Sequence, residues 1–180
     1  MDFLCLEFVN SSWYITHKLF NDPLRNNDWL LSFADKWNIK SLSAPTEAEL
    51  KRLIDMRKHL AEIFAKIAGG EKLLNDDIEF INGYMSCVSF FRVLNVDKEN
   101  RKLYEEPLVH GWKWFMAEIA ASFSRLYSSQ YVNNLRICQN PECGWFFIDE
   151  SKKKNRKWCD DTCASLMKVR RFRQRQKEKI

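Results

Sequence analysis

Apolar residues recur along most of this chain at helical spacing. Leu50, Leu53, Ile54, Leu60, Ile63, Phe64 and Ile67 keep a period of 3.6, which predicts a helix with one buried face. Just before them, Pro45-Thr46-Glu47-Ala48-Glu49 spells a capping box, with Thr46 as N-cap and Glu49 reaching back. Gly69-Gly70 ends the run. A second stripe, Trp112, Phe115, Ile119, Phe123 and Leu126, predicts a helix over 111–128, and Trp29, Leu30, Phe33 and Trp37 predict one over 26–37. Another is expected over 75–87. The short apolar run Leu4–Val9 fits either a helix or a strand, because periodicity does not separate the two at that length. Apolar runs over 88–96 and 101–108 flank Asp97-Lys98-Glu99-Asn100 and read as a β-hairpin.

At 180 residues and 46% hydrophobic, the chain suits one medium domain or a larger domain with a small appendage. No window approaches the ~18 unbroken apolar residues of a membrane span, and Met1-Asp2-Phe3-Leu4-Cys5 lacks the basic start of a secretory signal. A cytoplasmic protein with reduced thiols, not bound to a membrane, is expected. His17, His59 and His110 stand alone, and no phosphate loop or dinucleotide fingerprint occurs. The chain is therefore not expected to be an enzyme. Cys5 and Cys87 sit in apolar surroundings and read as small buried hydrophobes.

The other four cysteines form two close pairs, Cys138/Cys143 and Cys159/Cys163, separated by a loop of fifteen residues. Such pairs gather four thiolates into the tetrahedron of one structural zinc ion, Zn2+, with no open position for catalysis. Disulfides are the alternative, disfavoured by a reducing compartment. Asn140-Pro141 favours a tight turn between the first pair, and Gly144 permits an unusual backbone angle after it. The spacing of the second pair predicts both sulfurs on one helix face, with Asp160, Asp161 and Thr162 supplying the cap and first turn. With the apolar strand Trp145–Ile148 between the pairs, the order is knuckle, strand, basic loop, helix. That is the plan of a treble clef.

Charge is uneven. Residues 151–180 carry twelve Lys/Arg against three Asp/Glu, whereas residues 1–150 carry seventeen against twenty-one. A mildly acidic body with a basic C-terminal end points to a polyanionic partner. Four thiolates on Zn2+ carry a formal charge of −2, so part of the loop holding Lys152, Lys153, Lys154, Arg156 and Lys157 is expected to offset the metal site. The segment 168–177 adds Lys168, Arg170, Arg171, Arg173 and Arg175, and arginine's planar fork suits phosphate and guanine.

These residues resemble the CGNR zinc finger, a C-terminal module that follows an ABATE-type domain in bacterial proteins. The resemblance lies in Leu135–Cys138, Asn140–Trp145, Phe147, Asp149, Ser151, Arg156–Cys159, Cys163 and Lys168–Arg173, and extends to Leu4–Asn10 and Trp29-Leu30. It implies a stress-response transcription regulator whose finger binds DNA. Where the family reads Cys-Gly-Asn-Arg, this chain has Cys163-Ala164-Ser165-Leu166. The ligand is kept, while an Asn and an Arg are lost.

The expected fold is mainly α (α+β). Residues 1–132 form a helical, ABATE-like sensor domain with a β-hairpin, and 133–180 a treble-clef-like four-cysteine finger ending in a basic helix. The expected function is a zinc-containing, DNA-binding transcription regulator whose N-terminal domain senses a small-molecule or protein effector. In that reading the ten cations named above meet nucleic acid. The alternatives are a zinc-stabilised protein-interaction module, or a ligand-binding protein with a pocket at Glu7, Asn10 or Arg57. A homodimer is compatible with either role, although no heptad marks it.

Overall fold

The computed structural model describes residues 3–17, 21–40, 42–97 and 100–177. Seven α-helices, three short 3-10 turns and two antiparallel strand pairs are found among them. Leu4–Asn10 is helical (α1), which resolves the ambiguity of that run, and Tyr14–His17 forms a single further turn (α2). Next come α3 (Asn27–Lys36), α4 (Glu47–Ala68) and α5 (Asn75–Met85). The hairpin strands β1 (Phe90–Asp97) and β2 (Asn100–Pro107) follow, then α6 (Trp112–Tyr127). Residues 98–99 of the expected hairpin turn lie outside the described residues. The C-terminal part contains β3 (Leu135–Ile137), β4 (Phe146–Ile148) and α7 (Asp161–Lys177).

Local chemistry explains the helix ends. The capping box forms as expected: Thr46 Oγ1 accepts from the Glu49 amide at 3.3 Å, and Glu49 Oε2 accepts from the Thr46 amide at 2.8 Å. Asn26 caps α3 by accepting from the Trp29 amide at 3.0 Å. Gly70 sits at φ +81°, the left-handed conformation that terminates α4 without a Cβ penalty. At the start of α5, buried Asp77 accepts from the Leu74 amide at 3.0 Å and from Lys66 Nζ at 2.9 Å. Burial opposes ionisation of Asp77, but the Lys66 and Leu74 donors outweigh it and hold its pKa below the usual value.

The core lies between α1, α3, α4 and α6, with Phe8, Leu53, Phe64, Phe115 and Ile119 fully buried. Cys5 is buried there as expected, its thiol pushed up to about 12 by burial. Cys87 departs from expectation. It is exposed, because α5 stops at Met85 and residues 86–87 turn outward toward the hairpin. Arg57 does not line the cleft that Glu7 and Asn10 share. It is buried on α4, donating to Ser11 Oγ at 3.1 Å and Asp22 Oδ1 at 2.8 Å.

The main core continues across residue 132. Leu135 on β3 and Phe146 on β4 belong to the same apolar cluster as α4 and α6, and the Phe146 ring lies 5.6 Å from that of Phe64. The expected domain boundary falls within a 3-10 turn, Gln130–Asn134. Asn10 ties the two parts together: its Nδ2 donates to the Phe146 carbonyl at 2.8 Å, and its Oδ1 accepts from the Phe146 amide at 2.9 Å. One side chain thus satisfies both backbone groups of a buried strand residue.

Candidate metal centre and nucleic-acid interface

Strands β3 and β4 pair with Leu135 opposite Ile148 and Ile137 opposite Phe146. The chain between them turns as a knuckle. The Cys143 amide donates to the Asn140 carbonyl at 2.9 Å, and Asn140 Oδ1 accepts from the Glu142 amide at 3.3 Å. Gly144 follows at φ +65°, the special angle its position demands. The knuckle brings the Cys138 and Cys143 thiols together at the turn end of the hairpin.

The second pair is built differently from expectation. Helix α7 begins at Asp161, so Cys159 precedes it and the two sulfurs do not share one helix face. Asp160 is the cap: its carboxylate accepts from the Cys163 amide at 2.7 Å, and its carbonyl from the Ala164 amide at 3.1 Å. The Cys159 carbonyl is taken instead by an Arg156 guanidinium nitrogen at 2.7 Å. The capping acid thereby sets the helix start at Asp161, two residues past Cys159.

The Sγ atoms of Cys138, Cys143, Cys159 and Cys163 all lie within 4.8 Å of one another, and those of Cys143 and Cys159 are 3.7 Å apart. With Zn–S bonds of ~2.3 Å, a tetrahedron has sulfur–sulfur edges of about 3.8 Å, so the cluster has the dimensions of a four-thiolate zinc site. Burial pushes the Cys143 thiol up to about 11, and burial with the nearby Cys138 charge pushes Cys159 higher still. At Cys138 burial acts the same way but is outweighed by hydrogen bonds, chiefly from the Asn140 amide, and the net shift is downward. Four such thiolates need a cation among them. Buried Asn140 also turns its Nδ2 toward Cys163 Sγ at 3.4 Å, a donor suited to a metal-bound thiolate. The sequence pointed to Asn140 only as a turn residue. Trp145, Trp158 and Trp13 cover the cluster, Trp13 arriving from the helical part.

Asp149, fully buried, organises the basic loop. It accepts from the Ser151 amide at 2.9 Å and the Arg156 amide at 2.7 Å, and these donors lower its pKa against the opposing effect of burial. Lys154 Nζ returns to the Asp149 carbonyl at 2.9 Å, and Arg156 lies over the Phe147 ring. On α7, Arg170 pairs with Glu142 of the knuckle and Arg171 lies over Trp158. Four of the ten expected nucleic-acid residues are therefore engaged within the finger itself: Lys154, Arg156, Arg170 and Arg171. The other six, Lys152, Lys153, Lys157, Lys168, Arg173 and Arg175, are exposed and have no ion pair among the described residues. On the helical wheel Cys163, Met167 and Arg170 point inward. Lys168 and Arg175 then flank one side of the free face and Arg173 the other, with exposed Val169 and Phe172 between them.

A second concavity lies between the helical part and the finger. It is a cleft of about 580 Å³ lined by Glu7, Tyr14, Trp29, Phe33, Lys36 and Trp145, with Asn10 at its floor. Glu7 is held there by Lys36 Nζ and by Trp37 Nε1 at 3.1 Å.

A hairpin knuckle and a helix start that together present four thiols define a structural zinc finger of treble-clef plan. Residues 134–176 match the CGNR zinc finger family, to which this segment is similar, and the four-cysteine cluster fits one structural zinc ion. No curated protein matches the chain. No helix among the described residues is long and apolar enough to cross a membrane.

Proposed function

We propose that the protein is a DNA-binding transcription regulator of the cytoplasm, acting in stress response. In this reading the zinc finger holds α7 against nucleic acid, and the cleft at Glu7 and Trp145 receives an effector. The observation that carries the reading is the division of labour on α7. Arg170 and Arg171 anchor the helix to the knuckle and to Trp158, while Lys168 and Arg175 on one flank of the outer face and Arg173 on the other carry no ion pair among the described residues. A solvated tail has no need of such anchoring, whereas a helix that enters a groove must be held rigidly. Lys152, Lys153 and Lys157 supply phosphate contacts beside it. Sequence preference is expected to come from Phe172 and Val169, which suit a thymine methyl. Leu166, standing where the family has Arg, makes no such polar contact, and Ser165 offers a hydroxyl where the family has the Asn amide.

The test is duplex-DNA binding by fluorescence anisotropy across a salt series with zinc-loaded protein. Six phosphate contacts would give a log–log slope of roughly −5, at about −0.9 per contact. Neutralising Lys168, Arg173 and Arg175 together to Gln is expected to reduce the slope by about 2.7 and to leave zinc content unchanged. A flat salt response, or a triple variant that binds as before, refutes the proposal and favours a protein-interaction role for the finger.

A further inference from the structure

The β1–β2 hairpin has no counterpart in the function proposed above. Its strands pair along their whole length, from Phe90 opposite Pro107 to Asp97 opposite Asn100, yet neither packs extensively on any helix. A lone two-stranded hairpin is marginal in water. This one also carries apolar side chains into solvent. Residues alternate between faces, so Phe90, Arg92, Leu94 and Val96 share one face with Arg101, Leu103, Glu105 and Pro107. On that face Leu94 is 66% exposed, Leu103 64% and Val96 60%. Leu108 and Val109, just past the end of β2, are exposed as well. Contiguous exposed apolar surface of this kind marks an interaction site.

We infer that this face is a self-association surface whose occupant is the same face of a second copy of the chain. The argument is self-complementarity. Consider a two-fold axis lying between two facing hairpins, perpendicular to the strands at the level of Leu94 and Leu103. Leu94 then meets Leu94 of the other copy, and Leu103 meets Leu103. One step outward, Arg101 of each copy faces Glu105 of the other, and Val96 lies on the aliphatic stem of Arg92. Within its own chain Glu105 is reached by Arg92 at 3.4 Å, while Arg101 has no ion pair among the described residues. The two-fold therefore supplies each Arg101 with a carboxylate and each exposed leucine with an apolar contact. A contact of this type is isologous and closes at two copies. The cleft of about 490 Å³ at the base of the hairpin is lined by Ser89, Leu108, Val109 and Trp112, not by Leu94 or Leu103.

The surface is small. Eight-residue strands at ~3.3 Å per residue, two abreast at ~4.8 Å, present a face on the order of 300 Å², against about 800 Å² per partner in a standard interface. The dimer is accordingly weak, forming reversibly in the micromolar range or above. It does not depend on the DNA-binding reading, since it forms without nucleic acid.

Sedimentation analysis of the zinc-loaded protein from about 1 μM to 1 mM, without DNA, tests this. A concentration-dependent monomer–dimer equilibrium is expected. Leu94→Glu should leave a monomer throughout, with zinc content and helical circular dichroism unchanged, because Leu94 takes no part in the core. Arg101→Glu should weaken association about tenfold, and adding Glu105→Arg to it should restore affinity by exchanging the charges. A monomer at every concentration overturns the inference and leaves the patch to a different protein. A dimer indifferent to Leu94→Glu, or a double variant no better than Arg101→Glu alone, also overturns it.

Discussion

Replacing Asn10 with Ala tests how tightly the finger is joined to the helical part. The Asn10 amide makes hydrogen bonds of 2.8 and 2.9 Å to the carbonyl and amide of Phe146, both buried. Truncation leaves two backbone groups without partners at roughly 1–3 kcal/mol each. The expected loss is about 2–5 kcal/mol, toward the lower end if water enters the vacated space. For a chain of this size each kcal/mol lowers the thermal midpoint by about 2–4 °C, so a drop of roughly 5–15 °C is expected. Circular dichroism at 222 nm during heating in zinc-containing buffer reads this directly. Asn10→Asp keeps the acceptor but loses the donor and buries a charge, and should cost at least as much. A midpoint lowered by less than about 2 °C in the Ala variant would refute the claim that Asn10 couples the two parts.

Asn140→Ala removes the donor facing Cys163 Sγ and should lower zinc affinity about 10–100-fold, measurable by competition with a chromogenic chelator. Gly144→Ala places a Cβ at φ +65° and should destabilise the finger by about 1 kcal/mol, seen as earlier zinc release on titration with urea. Asp77→Asn should lower stability by roughly 1–3 kcal/mol at pH 7, because it removes the charge that Lys66 pairs with and one of the two acceptor oxygens that Lys66 and Leu74 use. Because the Asp77 pKa is depressed on folding, its stabilisation is complete above the ordinary value of 3.8 and is lost as the pH falls through the lower folded value. The gap between wild type and variant, measured by denaturant unfolding, should thus persist to pH 5 and begin to close only below about pH 4.

Much of this was legible in the chain because it is locally encoded. Thr46 and Glu49 are three residues apart, the aromatic stripe of α6 repeats within one helix, and each cysteine pair sits within a few positions. What escaped were relations between distant residues. Arg170 finds Glu142 across 28 positions, and only that contact shows that it faces inward while Arg173 does not. Asn10 and Phe146 are 136 positions apart, so nothing local marks the Asn as a bridge. At Cys159 the error was one of boundaries: an acid suited to the helix start competed for the position that spacing gave to a cysteine. Cys87 was judged by its apolar neighbours, although these belong to a hairpin that leaves them in solvent.

The apolar cluster that continues from α4 through Leu135 and Phe146 makes the finger a fixed attachment rather than a tethered one. Modules joined by flexible linkers can adjust their separation to the site they meet. Here the direction of α7 is set by the packing of the whole body. If two copies join through their hairpins, the body serves as a ruler, and the distance between the two basic helices becomes a property of the core.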